Sequence, residues 1–236
     1  MRKAISITIE GVKELMKNSK EGIREYELEA YFDFVCKKNG VKDFAFKTIA
    51  AAGKNATILH YVTNDSKLKD GDLILFDLGA QYKYYNGDIS RTFPINGKFT
   101  ERQKEVYNSV LYVNQRIIEE MKPGVKFLEL NSLAKSLIAK ECIKLGLIEN
   151  EKDVDKYYYH SIGHSLGLDT HDVELRNRDV ILEAGMVYTV EPGIYIEEEG
   201  IGIRIEDDIL ITEDGNEVLT KDMIKTIDEI EEFMKK

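Results

Sequence analysis

Apolar residues recur at helical spacing at Ile5, Ile9, Val12 and Met16, and again at Leu28, Phe32 and Val35 in a segment that opens near Glu25 and stops at Asn39-Gly40. The period then changes. Residues 44–51, 72–78 and 89–93 are short apolar runs that predict strands, with a turn over 82–87. Helical spacing returns after Thr100, a predicted N-cap. Val106, Val110, Val113, Ile117 and Met121 mark one face up to Pro123-Gly124, and Leu130, Ala134, Leu137 and Ile138 mark the next helix, closed by Gly146. Strands are expected again at 187–190, 194–196 and 201–211, and a final charged helix from near Asp222. The order helix, helix, strands therefore occurs twice. No low-complexity segment or linker separates the copies, which predicts a single α+β domain whose halves share a sheet.

Residues 71–79 (GDLILFDLG) and 185–193 (GMVYTVEPG) share one frame: a glycine, five mostly apolar residues, an acid, one residue and another glycine. The acids of the frame are Asp77 and Glu191, and a second acid follows each on the next extended segment, Asp88 and Glu206. The unbroken apolar run before Asp77 suggests a strand covered on both faces. A hairpin centred near Tyr82-Lys83 would set Asp77 opposite Asp88, within the ~5 Å of a cross-strand pair. In the second half Arg204, Glu206 and Asp208 share one strand face, while Ile203, Ile205, Ile209 and Ile211 share the other. Asp207 and Asp208 have no counterpart in the repeat and are read as solvated strand or turn residues. A buried unpaired carboxylate is costly or takes up a proton, so four of them converging in one core require cations between them.

Composition narrows the partners. The chain has 236 residues, is 43% hydrophobic, which allows a substantial core, and carries a formal charge of -10, which argues against nucleic acid or an anionic membrane. The N-terminal residues lack a signal-peptide core, and no stretch is long enough to span a bilayer. Cys36 and Cys142 lie far apart in helical patterns, as expected of reduced core thiols in a cytoplasmic protein. The four histidines stand at 60, 160, 164 and 171, three of them within HSIGHSLGLDTHD. His160 and His164 have helical ligand spacing, but Gly163 and Gly167 argue for a loop or strand that brings backbone close to a ligand. His60, in ILHY, stands alone and by default is a core or turn histidine. Four carboxylates and one imidazole suit two divalent ions such as Mn(II), Co(II) or Zn(II). Two such ions ~3.5 to 4 Å apart lower the pKa of a bridging water and polarise a carbonyl, which points to hydrolysis. A nearby carboxylate would take the proton of that water, and the spare histidines would stabilise an oxyanion or protonate a leaving amine.

Read in order, ILHY, LFDLGAQYKYYNGDISRTFP, HSIGHSLGLDTHD, TVEPGIYI and GIGIRIEDDILIT resemble the catalytic domain of aminopeptidase P and prolidase, the proline-specific pita-bread metallopeptidases. The likeness covers nearly the whole chain. It implies the creatinase/aminopeptidase fold, with two pseudo-symmetric halves around a curved, mainly antiparallel sheet. It also implies a dinuclear centre, with Mn(II) foremost, held by Asp77, Asp88, His164, Glu191 and Glu206, where Asp88 and Glu206 bridge the ions. By the same likeness Glu191 is the general base and His171 contacts the scissile carbonyl or the proline nitrogen. His60 and His160 would assist in substrate binding or proton transfer, and Arg204 would pair with acids of the metal site. Family members usually carry a separate N-terminal domain that helps form dimers or tetramers and closes one side of the active site. Residues 1–236 are thus expected to be the catalytic domain without that part, with peptides bearing proline in second position as substrates and a homodimer as a partner.

The leading expectation is an Xaa-Pro aminopeptidase, with the Xaa-Pro dipeptidase prolidase as its alternative. GHSLGLDTHD with TVEPGIYI looks more like aminopeptidase P than like methionine aminopeptidase, which shares the fold and the ligands. A non-catalytic pita-bread binding module is the alternative from another class, but such modules usually lose ligands. A two-carboxylate glycosidase would need neither the histidine cluster nor the second acid pair.

Overall fold

The computed structural model describes residues 1–173 and 180–235. The first half comprises helices α1 (Arg2–Asn18) and α2 (Glu25–Lys38), followed by strands β1 (Asp43–Phe44), β2 (Ile49–Ala52), β3 (Leu73–Leu78), β4 (Ala80–Tyr82), β5 (Tyr85–Asn86) and β6 (Ile89–Pro94). The second repeats that order with α3 (Glu101–Glu120), α4 (Phe127–Lys144), β7 (Val187–Val190), β8 (Gly193–Ile196), β9 (Ile201–Arg204), β10 (Asp207–Ile211) and β11 (Asn216–Val218). Helix α5 (Ile227–Met234) ends the described chain. Every strand pair among the described residues is antiparallel, in the orders β2-β3-β6, β11-β10-β7, β8-β9 and β1-β4-β5. The apolar faces of α1 to α4 bury themselves in one cluster with the strands of both halves.

The halves meet where β6 runs beside residues 204–206. The Thr92 hydroxyl donates to the Arg204 carbonyl and accepts from the Arg204 N–H, both at 3.2 Å. The Glu206 N–H donates to the Ser90 carbonyl at 3.1 Å. On the far side of this seam the fully buried Arg91 donates through Nη1 to the carbonyls of Ser90 and Glu206, one from each half. Its Nη2 lies 2.7 Å from Asp207, which also receives Lys225 at 2.7 Å and the Thr220 hydroxyl at 2.7 Å.

The structure corrects several expectations. Residues 44–51 do not form one strand: the chain bends after β1, which pairs with β4, and resumes as β2 on β3. Residues 82–87 are not a simple turn but include the hairpin β4-β5, whose tip residues Lys83 and Tyr84 both have positive φ, 51° and 72°. Two-residue hairpins favour that mirror-image turn because its twist matches the strands. It moves the centre one residue along, from Tyr82-Lys83 to Lys83-Tyr84, so Asp77 pairs with Ser90 rather than with Asp88. The expected strand 201–211 breaks at Ile205 and Glu206, because β9 pairs with β8 while β10 crosses to β7. Helix α5 starts at Ile227, where Thr226 and Glu229 form a capping box, rather than near Asp222. Asp207 and Asp208 are buried, not solvated. Cys36 and Cys142 are buried and unpaired, and no described helix is long and apolar enough to cross a membrane.

The duplicated frame has a backbone cause. Gly71 and Gly185 open it with φ of 82° and 95°, the left-handed conformation that favours glycine. At the other end a Cβ on Gly79 would lie 1.9 Å from the Gly87 carbonyl oxygen. Gly79→Ala is therefore expected to destabilise the protein by roughly 1–3 kcal/mol or more, with Tm falling about 2–4 °C per kcal/mol. Gly215→Ala, at a position with nothing within 4 Å, should stay within about 0.5 kcal/mol. Thermal melts of the two variants check the contrast.

Candidate metal centre

A cavity of about 850 Å³ lies at the seam, and Asp77, Asp88, His164, Glu191 and Glu206 all line it, together with Arg204, His60, His160 and His171. Asp77 comes from β3 and Asp88 from the residue before β6, while Glu191 follows β7 and Glu206 occupies the break between β9 and β10. The breaks matter because they turn the acids of neighbouring strands toward one point.

His164 sits in neither helix nor strand, yet its segment is laid against β7. The Glu191 N–H donates to Ile162 at 2.8 Å, the Thr189 N–H to His164 at 2.9 Å, and the Leu166 N–H to Val187 at 3.0 Å. A Cβ on Gly163 would lie 2.0 Å from the Thr189 carbonyl oxygen. Gly163 thus serves backbone against backbone, where a ligand contact was expected, whereas Gly167 makes room for the Asp172 side chain.

His164 Nδ1 lies 3.1 Å from the Ser165 carbonyl and donates to it, which leaves the Nε2 lone pair facing the cavity. That Nε2 is 3.5 Å from Asp88 Oδ2 and 3.6 Å from Glu191 Oε1. Ligand-capable atoms of Asp88, His164 and Glu206 all fall within 4.8 Å of one another. Arg204 faces the acids from one side, with Nη2 on Asp77 Oδ2 at 2.7 Å, Nε on Ser90 Oγ at 2.9 Å and Nη1 on the Tyr195 hydroxyl at 3.1 Å. Ser90 in turn donates to Glu206 at 2.7 Å. His160 Nδ1 donates to the Ser161 carbonyl at 2.7 Å, so its Nε2 accepts from the Tyr195 hydroxyl at 2.9 Å. The His171 ring lies 4.2 Å from that of His164, and both His171 and His60 are exposed on the cavity wall.

Burial dominates the electrostatics. It lifts the Glu191 carboxyl to about 8, with Asp77 adding to the rise against the opposing charge of Arg204. It also raises Asp88 well above the usual carboxylate range, reinforced by Glu206 and Asp77, and raises Glu206 likewise, reinforced by Glu191 and Asp77. Burial lowers His164 to about 4 and His160, also beside Arg204, to about 3. Both rings are neutral near pH 7. The Oδ1 atoms of Asp77 and Asp88 are buried and accept no hydrogen bond. Crowded carboxylates with orphaned oxygens and a neutral imidazole showing its lone pair are a donor set that fits divalent cations.

Ser90, Tyr195 and Asp208 were not among the expected site residues. Ser90 has a sequence signal, since it shares a strand face with Asp88 at period two. Tyr195 has none. Asp208 shares parity with Arg204 and Glu206, and its Oδ2 accepts the Asp88 N–H at 3.2 Å while its Oδ1 is orphaned.

With this geometry in hand, residues 1–213 match the model of metallopeptidase family M24. The chain is 41% identical to the Xaa-Pro aminopeptidase of Escherichia coli over 99% of this chain and 57% of that protein. The chain belongs to metallopeptidase family M24. It is also 39% identical to the Xaa-Pro dipeptidase of Pyrococcus horikoshii, over 94% of this chain and 60% of that protein. A Bacillus anthracis structure solved as a candidate aminopeptidase P superposes with a TM-score of 0.97 at 55% identity, covering 99% of this chain and 55% of that one. The fold is the pita-bread fold of aminopeptidase P. This M24 chain spans between about half and three-fifths of the length of the relatives it matches.

The raised carboxyls oppose folding of metal-free protein at higher pH. Above pH 6.5, where unfolded histidines have lost their protons, the unfolded chain has released its carboxyl protons while folded Glu191 holds its own up to about 8. The folded state then binds more protons, so stability falls as pH rises. Tm in chelator should drop from about pH 6.5 to about pH 8, and the drop should shrink in Glu191→Gln. Adding Mn(II) should raise Tm more at the upper end. A chelated protein whose Tm climbs across this window would contradict the assignment of buried, protonated acids.

Proposed function

We propose that the chain is a metal-dependent exopeptidase that hydrolyses the bond between an N-terminal residue and a following proline. The observation that carries this reading is the convergence of Asp77, Asp88, His164, Glu191 and Glu206 from both halves on one cavity, with the His164 Nε2 lone pair free and the Oδ1 atoms of Asp77 and Asp88 buried without a hydrogen-bond donor. These five residues would hold two divalent ions, Mn(II) first and Co(II) or Zn(II) as alternatives. When bound, such ions supply Lewis acidity that makes water nucleophilic near neutral pH and polarises a carbonyl.

The chain's own residues supply the rest. Glu191, at the cavity edge and 3.6 Å from His164, takes the proton of the attacking water on a carboxylate oxygen and delivers it to the departing proline nitrogen. His171 and His60, both exposed on the wall, donate to the scissile carbonyl and orient the peptide. His160 is neutral with both ring nitrogens engaged, so its role is to hold the Tyr195 hydroxyl and through it Arg204, rather than to move a proton. Arg204 fixes Asp77 and balances part of the acid cluster. The likeness to a Xaa-Pro dipeptidase makes prolidase activity the second reading. A reducing compartment such as the cytoplasm suits the unpaired thiols.

His164→Ala and Asp88→Asn should each remove metal and Xaa-Pro hydrolysis together, as read by elemental analysis and peptide assay. His171→Ala should retain metal and lose roughly 10²- to 10³-fold in kcat. Arg204→Ala should weaken metal affinity by roughly 10- to 100-fold without removing a ligand. Assays on Gly-Pro, Leu-Pro and Xaa-Pro-Yaa peptides separate dipeptidase from aminopeptidase, and metal-loaded protein that cleaves none of them sinks both.

A further inference from the structure

Glu25, the first residue of α2, is a fully buried acid that belongs to no part of the site described above. Each of its carboxylate oxygens accepts two hydrogen bonds. Oε1 receives the Ala52 N–H at 2.7 Å and Asn55 Nδ2 at 3.0 Å, and Oε2 receives the Tyr61 hydroxyl at 2.9 Å and the Ser66 N–H at 2.9 Å. All four donors lie in residues 52–66, the segment that leaves β2 and carries Leu59, His60 and Val62 into the cavity wall. The attachment is reciprocal. The carbonyls of Ser66 and Asn64 accept the N–H groups of Glu25 and Tyr26, at 3.0 and 2.8 Å, which satisfies donors that a helix start leaves unpaired. Packing holds part of this segment, where Ala56 is buried with Ile49, Ala51, Leu75 and Tyr195 and where Leu59 and Tyr61 pack on that cluster, but Ile58, His60 and Val62 are all exposed. Charge-assisted hydrogen bonds to one carboxylate are the stronger kind, and four of them on a short segment fix its path.

We propose that Glu25 is a positioning residue for the active cavity, tethering the 52–66 segment so that His60 and its apolar neighbours meet the peptide. The tether stands on the hydrogen bonds alone, whereas its effect on turnover rests on the hydrolase reading. Glu25→Gln retains the shape but replaces one acceptor with a donor facing the Tyr61 hydroxyl or the Ser66 N–H. Tyr61→Phe removes one donor from the other side, and it carries the same readouts should Glu25→Gln fail to fold. The expected result for a folded variant has three parts. Amide exchange in residues 52–66 accelerates while exchange in β7 and α3 is unchanged, metal content is unaltered, and KM for an Xaa-Pro-Yaa peptide rises by roughly tenfold in Glu25→Gln with kcat changed less, about one charge-assisted hydrogen bond's worth. In a His60→Ala background the KM effect should largely vanish, because the two residues act in series. Unchanged exchange in the segment overturns the tether. Faster exchange with KM unaffected, or with effects that add fully to those of His60→Ala, overturns its action through His60. If the unaltered protein cleaves no Xaa-Pro bond, the hydrolase reading fails separately and the exchange measurement alone decides the tether.

Discussion

Acidic side chains from two halves of the chain crowd one buried seam, and the surrounding structure is arranged to keep them there. Two unit charges 4 Å apart interact by about 4 kcal/mol at an effective dielectric near 20, so such a cluster resists assembly unless opposite charge or protons offset it. Arg204 supplies offset on the cavity side through Asp77. Arg91 supplies it on the opposite side, where Asp207 and Lys225 complete a separate buried network. The two guanidinium groups sit on alternate faces of the same junction, one aimed at the acids and the other at the backbone carbonyls that place them. Removing one partner of such a buried pair leaves an uncompensated charge, which is why the arrangement tolerates little change.

The irregular pieces are where the site is made. A continuous strand from Ile201 to Ile211 could not pair with β8 and then β7, and Glu206 stands at the point where it changes partner. His164 reaches the acids because its segment lies against β7 without being part of a strand, an approach that the glycine at 163 permits. The wall opposite is held from behind by the hydrogen bonds of Glu25 and Asn64 together with a small apolar cluster around Ala56 and Tyr195. The regular elements thus provide a rigid frame, and turns and breaks aim the chemistry into the cavity.

Much of this was legible in the chain. The helical faces headed by Ile5, Leu28, Val106 and Leu130 proved buried except at Leu137, which is half-buried, because amphipathic spacing is a local property. The repeat of 71–79 at 185–193 was legible for the same reason: a left-handed glycine and an apolar run each leave a mark in sequence. Asp208 was misjudged because burial of an acid leaves no local mark; only its parity with Arg204 and Glu206 hinted at its place. Tyr195 and Glu25 gave no signal at all, since their partners lie far away along the chain.

Local residue order determined which segments are helix or strand, that the chain is built twice over, and which acids and histidines could converge. It did so because propensity and periodicity act within a few residues. The tertiary structure alone decided that Asp77 faces Ser90 instead of Asp88, that the last long strand breaks at Glu206, and that Asp207 turns from the cavity to Arg91. Those choices depend on pairing between distant strands, where a shift of one residue at a hairpin tip moves the cross-strand partner by two and each strand residue's parity selects the face it serves.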